Sequence, residues 1–450
     1  MKKNTEKDTL LHGSFCYDTP DRDAVEDVFY YDDAFFMRAG SQDNAHLTTL
    51  SLAAALCLSD KTDYAEAFLA AIGFDMNSLC RDETDVVKPD TIGSLIACKP
   101  LDGAILVAVV LRGQRYGTEW CSNVNAGVTG DAKGIADSAE KVTRRLSAFI
   151  KKQNIRHAKI WITGYSRAGS VANMMGRTLN EAPEAFAVTK DDIYVYTFDA
   201  LRCSADDTLY HNIHNIYHPD DMVTYLYPAR WGLGLNGVEE PVGGGEQITA
   251  KIMTLGDGSY SADYAPVAKA TFMERFSAFT AACMSREQYA ATMQEPLKEF
   301  VKLFFGKSYY DQGVIMRSLP AVWDSMQCDD GFLPDMMSLL AEPCKDTVQD
   351  QVAGLLFRHL DKVRKEEKVP LSEADTQIVK RALRALLAFL GPAVEADLCC
   401  VPEEGAEEVS FYHIMTFALC FGELLKAHSP ELLFAAVKSK DSYYASHTAD

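Results

Sequence analysis

The spacing of apolar residues along the chain changes character several times. From about Ala24 to Phe74 it is helical. "LTTLSLAAALCLSD" and "YAEAFLAAIGF" are rich in Ala and Leu and predict packed helices. Near Asp102 the pattern switches. "GAILVAVVLRG" is a continuous apolar, β-branched run closed by Arg-Gly, the pattern of a strand buried on both faces. "GIADSAEKVTRRLSAFIKKQ" returns to helical spacing, with Ile135, Ala139, Val142 and Leu146 along one face. "HAKIWITGY" predicts a second strand, "SRAGSVANMMGRTLNEA" a second helix, "DIYVYTFDA" a third strand and "HNIHNIYH" a fourth.

Strand and helix therefore alternate from about Asp102 to Met222. That order predicts a mostly parallel sheet covered by helices on both faces. From about Ala265 to Leu398 the texture is helical again. There, "SEAD" offers an N-cap to "TQIVKRALRALLAFLG", which Gly391-Pro392 is expected to close. The organisation expected is a helical segment over 1–100, an α/β core over 101–264, a helical insertion over 265–400 and C-terminal helices over 401–450.

Bulk properties narrow the function. Of the 450 residues, 48% are apolar and 24% charged, the balance of a globular protein with a large core. A net charge of −20 argues against nucleic acid or an anionic membrane surface as partner, since both demand clustered Lys and Arg. No apolar run follows Lys2 and Lys3, and no stretch reaches the roughly 18 apolar residues of a membrane span, so a cytoplasmic protein without stable membrane insertion is expected. The 12 cysteines form no C-x-x-C pair, which leaves zinc ribbons and redox motifs unsupported. His214 and His218 would share one face of a strand while His211 points the other way, so the three are not expected to converge as metal ligands. "GLGLNG" lacks the strand before and helix after that a dinucleotide loop requires. No metal or organic cofactor is called for.

The chemistry concentrates at "TGYSRAGS". A strand that turns sharply through a serine into a helix exposes that hydroxyl at the carboxyl edge of the sheet, and the turn needs small neighbours. Gly164 and Ala168 occupy those places, with Gly169 next, and Ser166 sits at the bend. The helix that follows aims its N–H groups at the same point, so the Arg167 N–H would face a developing oxyanion. The competing reading is that Ser166 caps the helix. Alanine at 168 departs from a strict G-x-S-x-G.

The segment from about Asp102 to Gly237 resembles class 3, fungal-type lipases, and looks especially like a bacterial branch with "TGYSRA" at the nucleophile elbow. Three motifs carry the resemblance in order. "VVLRGQ" followed by "EW" is similar to the lipase strand ending in Phe-Arg-Gly. The elbow is the second. "HPDDMVTYLYP" is similar to the segment in which an Asp precedes a Val-Pro-x-Leu-Pro-Pro run. "TFDALRC" departs from the lipase Thr-Phe-Gly-x-Pro-Arg stretch.

The resemblance implies an α/β-hydrolase fold and a triad in the order serine, acid, histidine. Aligned on the third motif, the acid is Asp221, with Asp220 as fallback; taken without the alignment, both read as solvated turn residues. The base is sought among His359, His413, His428 and His447. His359 reads as a surface helix residue, His447 as a frayed end and His413 as a core histidine. His428 lies between two helices in "AHSPELLFA", which resembles a segment of the same branch, and is the choice. The second oxyanion donor implied is the Gln114 N–H, where these lipases often carry Ser or Thr.

The activity so implied is hydrolysis of a small ester or acylglycerol through an acyl-enzyme, with no cofactor. The residues alone leave open a thioesterase, acyltransferase or amidase on the same triad, and a catalytically inactive binding protein of the same fold.

Overall fold

The computed structural model describes residues 10–18, 24–58, 62–82, 90–113, 117–206, 208–243, 248–254, 259–264, 285–306, 310–315, 346–366, 371–395 and 425–447, with residues 318, 319, 322, 331, 334, 335 and 338. Two sheets organise them. The larger has seven strands in sequential order: β3 (Asp75–Asp82), β4 (Ser94–Leu101), β5 (Ala104–Leu111), β6 (Ala158–Tyr165), β7 (Val188–Phe198), β8 (Ile213–Tyr217) and β9 (Val238–Pro241). From β5 to β9 every pairing is parallel, and β3 and β4 add antiparallel strands at one edge. This mostly parallel sheet flanked by helices is an α/β-hydrolase-type fold.

Its strands are apolar on both sides because both faces are covered. Leu106, Ala108 and Val110 of β5 face one core, and Val107, Val109 and Leu111 face the other. After the short helix α3 (Gly117–Asn123), α4 (Lys133–Lys152) and α5 (Arg167–Glu181) close the second core. Ile135, Ala139, Val142 and Leu146 of α4 are all buried there, on the face their spacing predicts. The first core is closed by α1 (Ala45–Cys57) and by a C-terminal helix, Pro430–Lys438. Trp161 of β6 donates through its indole N–H to Ser51 Oγ of α1 (2.8 Å), satisfying the one polar atom of a fully buried ring.

The N-terminal hundred residues differ from the helical reading. α1 and α2 (Thr62–Ala71) lie in the two Ala/Leu-rich stretches, but β1 (Leu11–Tyr17) and β2 (Val25–Tyr31) pair antiparallel. With β10 (Ile248–Thr254) and β11 (Ser259–Tyr264) they form a second, four-stranded sheet. "VEDVFYY" spaces Val25, Val28 and Phe29 as a helix would. Its β-branched and aromatic content fits a strand better, and Val25, Phe29 and Tyr31 are buried from one side of β2. The main sheet also begins earlier than residue 101, because β3 and β4 precede that boundary.

A third core gathers helical residues of the later chain, among them Val301, Phe304, Leu356, Leu360 and Leu383. It meets the main unit where Trp120 stacks on Phe305, ring centroids 4.2 Å apart. The helix Glu373–Glu395 is capped by Ser372, whose Oγ accepts the Asp375 N–H (3.1 Å). It runs on through Gly391-Pro392 instead of closing there. Proline removes one N–H bond, but its φ is helical, so a chain near its helix end can continue past it. His359, expected on the surface, is buried: it shares the stripe of Leu356, Leu360 and Val363, three and four residues apart. Among the described residues, no helix is long and apolar enough to cross a membrane.

Candidate active site

The register of the parallel strands decides what can meet. Leu111 lies beside Gly164, Tyr165 beside Phe198, and Phe198 beside Ile216, so β5 to β8 end at one edge. The residues just beyond these ends are Ser166 after β6, Asp199 after β7, and His218 and Asp221 after β8.

Ser166 has φ 61° and ψ −130°, a region that L-residues avoid, at a cost of about 1–3 kcal/mol. The surroundings hold it there. Its N–H donates to Phe198 O (2.7 Å), and its carbonyl accepts from Gly169 N (2.9 Å). The turn is tight enough that a Cβ on Gly164 would lie 2.4 Å from Ala168 O and 2.9 Å from Ala168 Cβ. One methyl fits between these two positions and two do not, so alanine at 168 is tolerated because 164 is glycine. Ser166 occupies the N-cap position of α5, yet its side chain makes no capping bond. The hydroxyl points elsewhere: Ser166 Oγ lies 2.8 Å from His428 Nε2.

His428 closes a short 3₁₀ turn, Leu425–His428, just before the helix from Pro430. That helix is anchored by Phe434, which packs edge-on against Phe15 of β1 with ring centroids 5.4 Å apart. The imidazole stacks on the Tyr165 ring at 5.0 Å and 22°, and the Tyr165 hydroxyl donates to the His428 carbonyl. His428 Nδ1 lies 2.7 Å from Asp221 Oδ2. Asp221 is itself pinned, because its Oδ1 accepts the Val223 N–H (2.8 Å) as cap of the turn Met222–Tyr225. With Ser166 Oγ donating to Nε2, the tautomer consistent with both contacts carries its proton on Nδ1, facing Asp221. Ser166 is 6% exposed and Asp221 is fully buried. Asp220, the fallback acid, is half-buried, and its N–H donates to His218 Nδ1 (3.2 Å).

Arg167 opens α5, so its N–H is among the first four of the helix, which have no intrahelical acceptor. Its side chain is buried, donating to Thr91 O (2.8 Å) and Ser138 Oγ (3.0 Å). Arg112 of the first motif is equally buried and pairs with Glu119 at 3.0 Å. Gln114 and His413 lie outside the described residues, and His447 ends the helix Ser442–His447. His211, His214 and His218 do not converge. His214 is bonded to Glu240 (2.7 Å) and to Gly40 O (2.8 Å) instead.

One group at this edge escaped the sequence reading. Asp199 stands where "TFDALRC" departs from the lipase pattern, with φ 46° and no exposed surface. Its Oδ1 accepts the His218 N–H (2.8 Å), and its Oδ2 lies 4.0 Å from His428 Nδ1. The available signal was positional: Asp199 follows an apolar strand adjacent to the strand that ends at Ser166. Burial, and then the charge of Asp221, push its carboxyl well above the ordinary value of 3.8. Asp199, Asp221 and His428 bring donor atoms within 4.8 Å of one another, a set a divalent cation accepts. In the tautomer that serves Ser166, however, Nδ1 bears the proton that bonds Asp221, so it has no lone pair for a metal.

The raised carboxyl has a consequence for stability. The folded protein holds this proton more tightly than the unfolded chain, so stability falls as pH rises above the ordinary carboxyl value. Asp199→Asn, an isostere of the neutral acid, removes that dependence. Denaturation of both proteins at about pH 4 and about pH 8 should show the variant gaining on the wild type at the higher pH. An unchanged difference would mean that Asp199 titrates alike in the folded and unfolded protein.

No family model matches the chain, and no curated protein does. Among solved structures it is similar to a fungal lipase in complex with an inhibitor, presented as a model for interfacial activation. The identity is 19%, the TM-score 0.34, and the match covers 44% of this chain and 78% of that one. It is also similar to a triacylglycerol lipase described as having a serine protease triad at its catalytic centre, at 19% identity and TM-score 0.33, over 43% of this chain and 76% of that one.

Proposed function

We propose that the protein is a serine hydrolase of carboxylic esters. One observation carries the reading: a serine held at φ 61° has its hydroxyl 2.8 Å from an imidazole whose other nitrogen is 2.7 Å from a buried carboxylate. A serine hydroxyl becomes a competent nucleophile when a base removes its proton as it attacks, and that base needs an anion to orient it. In this reading Ser166 Oγ attacks the acyl carbon while His428 Nε2 takes the proton. The imidazolium is stabilised by Asp221, then protonates the leaving alkoxide. Water, deprotonated by His428, releases the acid from the acyl-enzyme. The N–H of Arg167 and, from the lipase resemblance, that of Gln114 hold the oxyanion.

The helical insertion over 265–400 is proposed as a cap, because it separates Asp221 from His428 in sequence and meets the main unit at Trp120. The C-terminal part, 401–450, supplies the histidine. Small soluble esters or short acylglycerols are the proposed substrates, and no metal enters the reaction.

A fluorophosphonate probe tests the core of this reading. It should label the wild-type protein once, on the peptide containing Ser166. Folded protein that stays unlabelled would mean a hydrolase fold without a hydrolase. A series of p-nitrophenyl esters of increasing chain length then reads the acyl pocket.

A further inference from the structure

We propose that Asp199 is a second orienting carboxyl for His428, standing behind Asp221 and able to take over the Nδ1–H bond when the Asp221 carboxylate is removed. The inference rests on the triad reading above and adds a residue to it.

Three observations converge. First, Asp199 Oδ2 is already 4.0 Å from His428 Nδ1, so a tilt of the ring or carboxyl by about 1.2 Å makes a normal hydrogen bond. Second, that oxygen is buried and has no hydrogen-bond partner among the described residues, whereas Oδ1 is held by the His218 N–H. A buried, unpaired carboxyl oxygen is costly unless something compensates. Third, the residue occupies a backbone conformation, φ 46°, that glycine adopts without strain and aspartate only with some. From this position one carboxyl oxygen holds the His218 N–H and the other faces the imidazole.

Two fully buried carboxylates beside one neutral imidazole would repel, so one of them carries a proton. Each Asp221 oxygen already meets an N–H, from Val223 and from the imidazole, whereas Asp199 Oδ2 has no partner among the described residues. Asp199 is therefore the neutral partner in the intact site. Removing the Asp221 carboxyl removes the repulsion but not the burial. The Nδ1–H, left without its acceptor, then offers the Asp199 carboxylate the hydrogen bond that offsets its burial, with no competitor. The groups that bear on this exchange are Asp221, His428 and the His218 N–H.

A double-mutant cycle on the full-length protein tests it, read as kcat and KM on one p-nitrophenyl ester. Asp221→Ala should keep kcat within about 100-fold of wild type, because Asp199 substitutes. Asp199→Asn should cost under about tenfold, since Asp221 still orients the ring. The double variant should fall by about 10⁴-fold, the loss of a triad without its acid, well beyond the product of the single losses. The loss should appear in kcat with KM little changed, which a loosened fold would not produce. If Asp221→Ala does not fold, Asp221→Ser keeps an oxygen for the Val223 N–H and carries the same comparison. A single Asp221→Ala loss as deep as that of the double variant overturns the role of Asp199 and leaves the triad standing. Absence of probe labelling in the wild type would instead overturn the triad itself.

Discussion

Ser166→Ala is expected to lower kcat on p-nitrophenyl esters by about 10⁶-fold, the scale on which removal of the nucleophile acts in serine hydrolases, while the protein remains folded. The first half follows from chemistry. Without Oγ there is no acyl-enzyme, and what remains is the help that oxyanion donors and binding give to attack by water. The second half follows from the geometry. The Ser166 hydroxyl makes no capping bond to α5, and the strained backbone is held by the N–H and carbonyl contacts of residue 166, which alanine keeps. Thermal denaturation should place the variant within a few degrees of wild type, with fluorophosphonate labelling gone. Retained turnover would assign the reaction to another residue.

Asp221→Asn should cut kcat by about 10⁴-fold with substrate binding intact. The reason is the orientation of the amide. The Val223 N–H, 2.8 Å from Oδ1, would fix the asparagine oxygen, so its NH₂ would face His428 Nδ1 at the place now 2.7 Å from Oδ2. Nδ1 must then accept, the ring proton moves to Nε2, and Ser166 loses its base. The amide also blocks the approach of Nδ1 to Asp199, which is why asparagine at 221 should be far more damaging than alanine. Equal turnover in the two variants would contradict this tautomer argument, and near wild-type turnover in Asp221→Asn would remove Asp221 from the mechanism.

Much of the scaffold was legible because it is written in local periodicity. β5, β6, β7 and β8, and helices α4 and α5, coincide with runs whose apolar spacing is that of a doubly covered strand or a one-faced helix. Where local signals compete, reading failed. β2 carries residues spaced for either element, and pairing with β1 and β10 decided it. His359 looked exposed because a lone polar residue within a helix says nothing about which helix lies opposite.

The site divides in the same way. The bend at Ser166 is local, since a strand, a glycine, a serine and a small residue suffice to predict it. Asp221 and His428 were reached through resemblance, because 207 residues separate them and no spacing rule spans that distance. The sequence by itself thus determined the strands and helices from β5 to β8, the elbow and the edge of the sheet at which it opens. Tertiary structure alone decided that the C-terminal helix, packed on Phe15 and seated on Tyr165, carries an imidazole to that edge, and that Asp199 stands behind it. Periodicity encodes which face of an element is buried. It does not encode what the neighbouring element brings, and a proton path is made of neighbours.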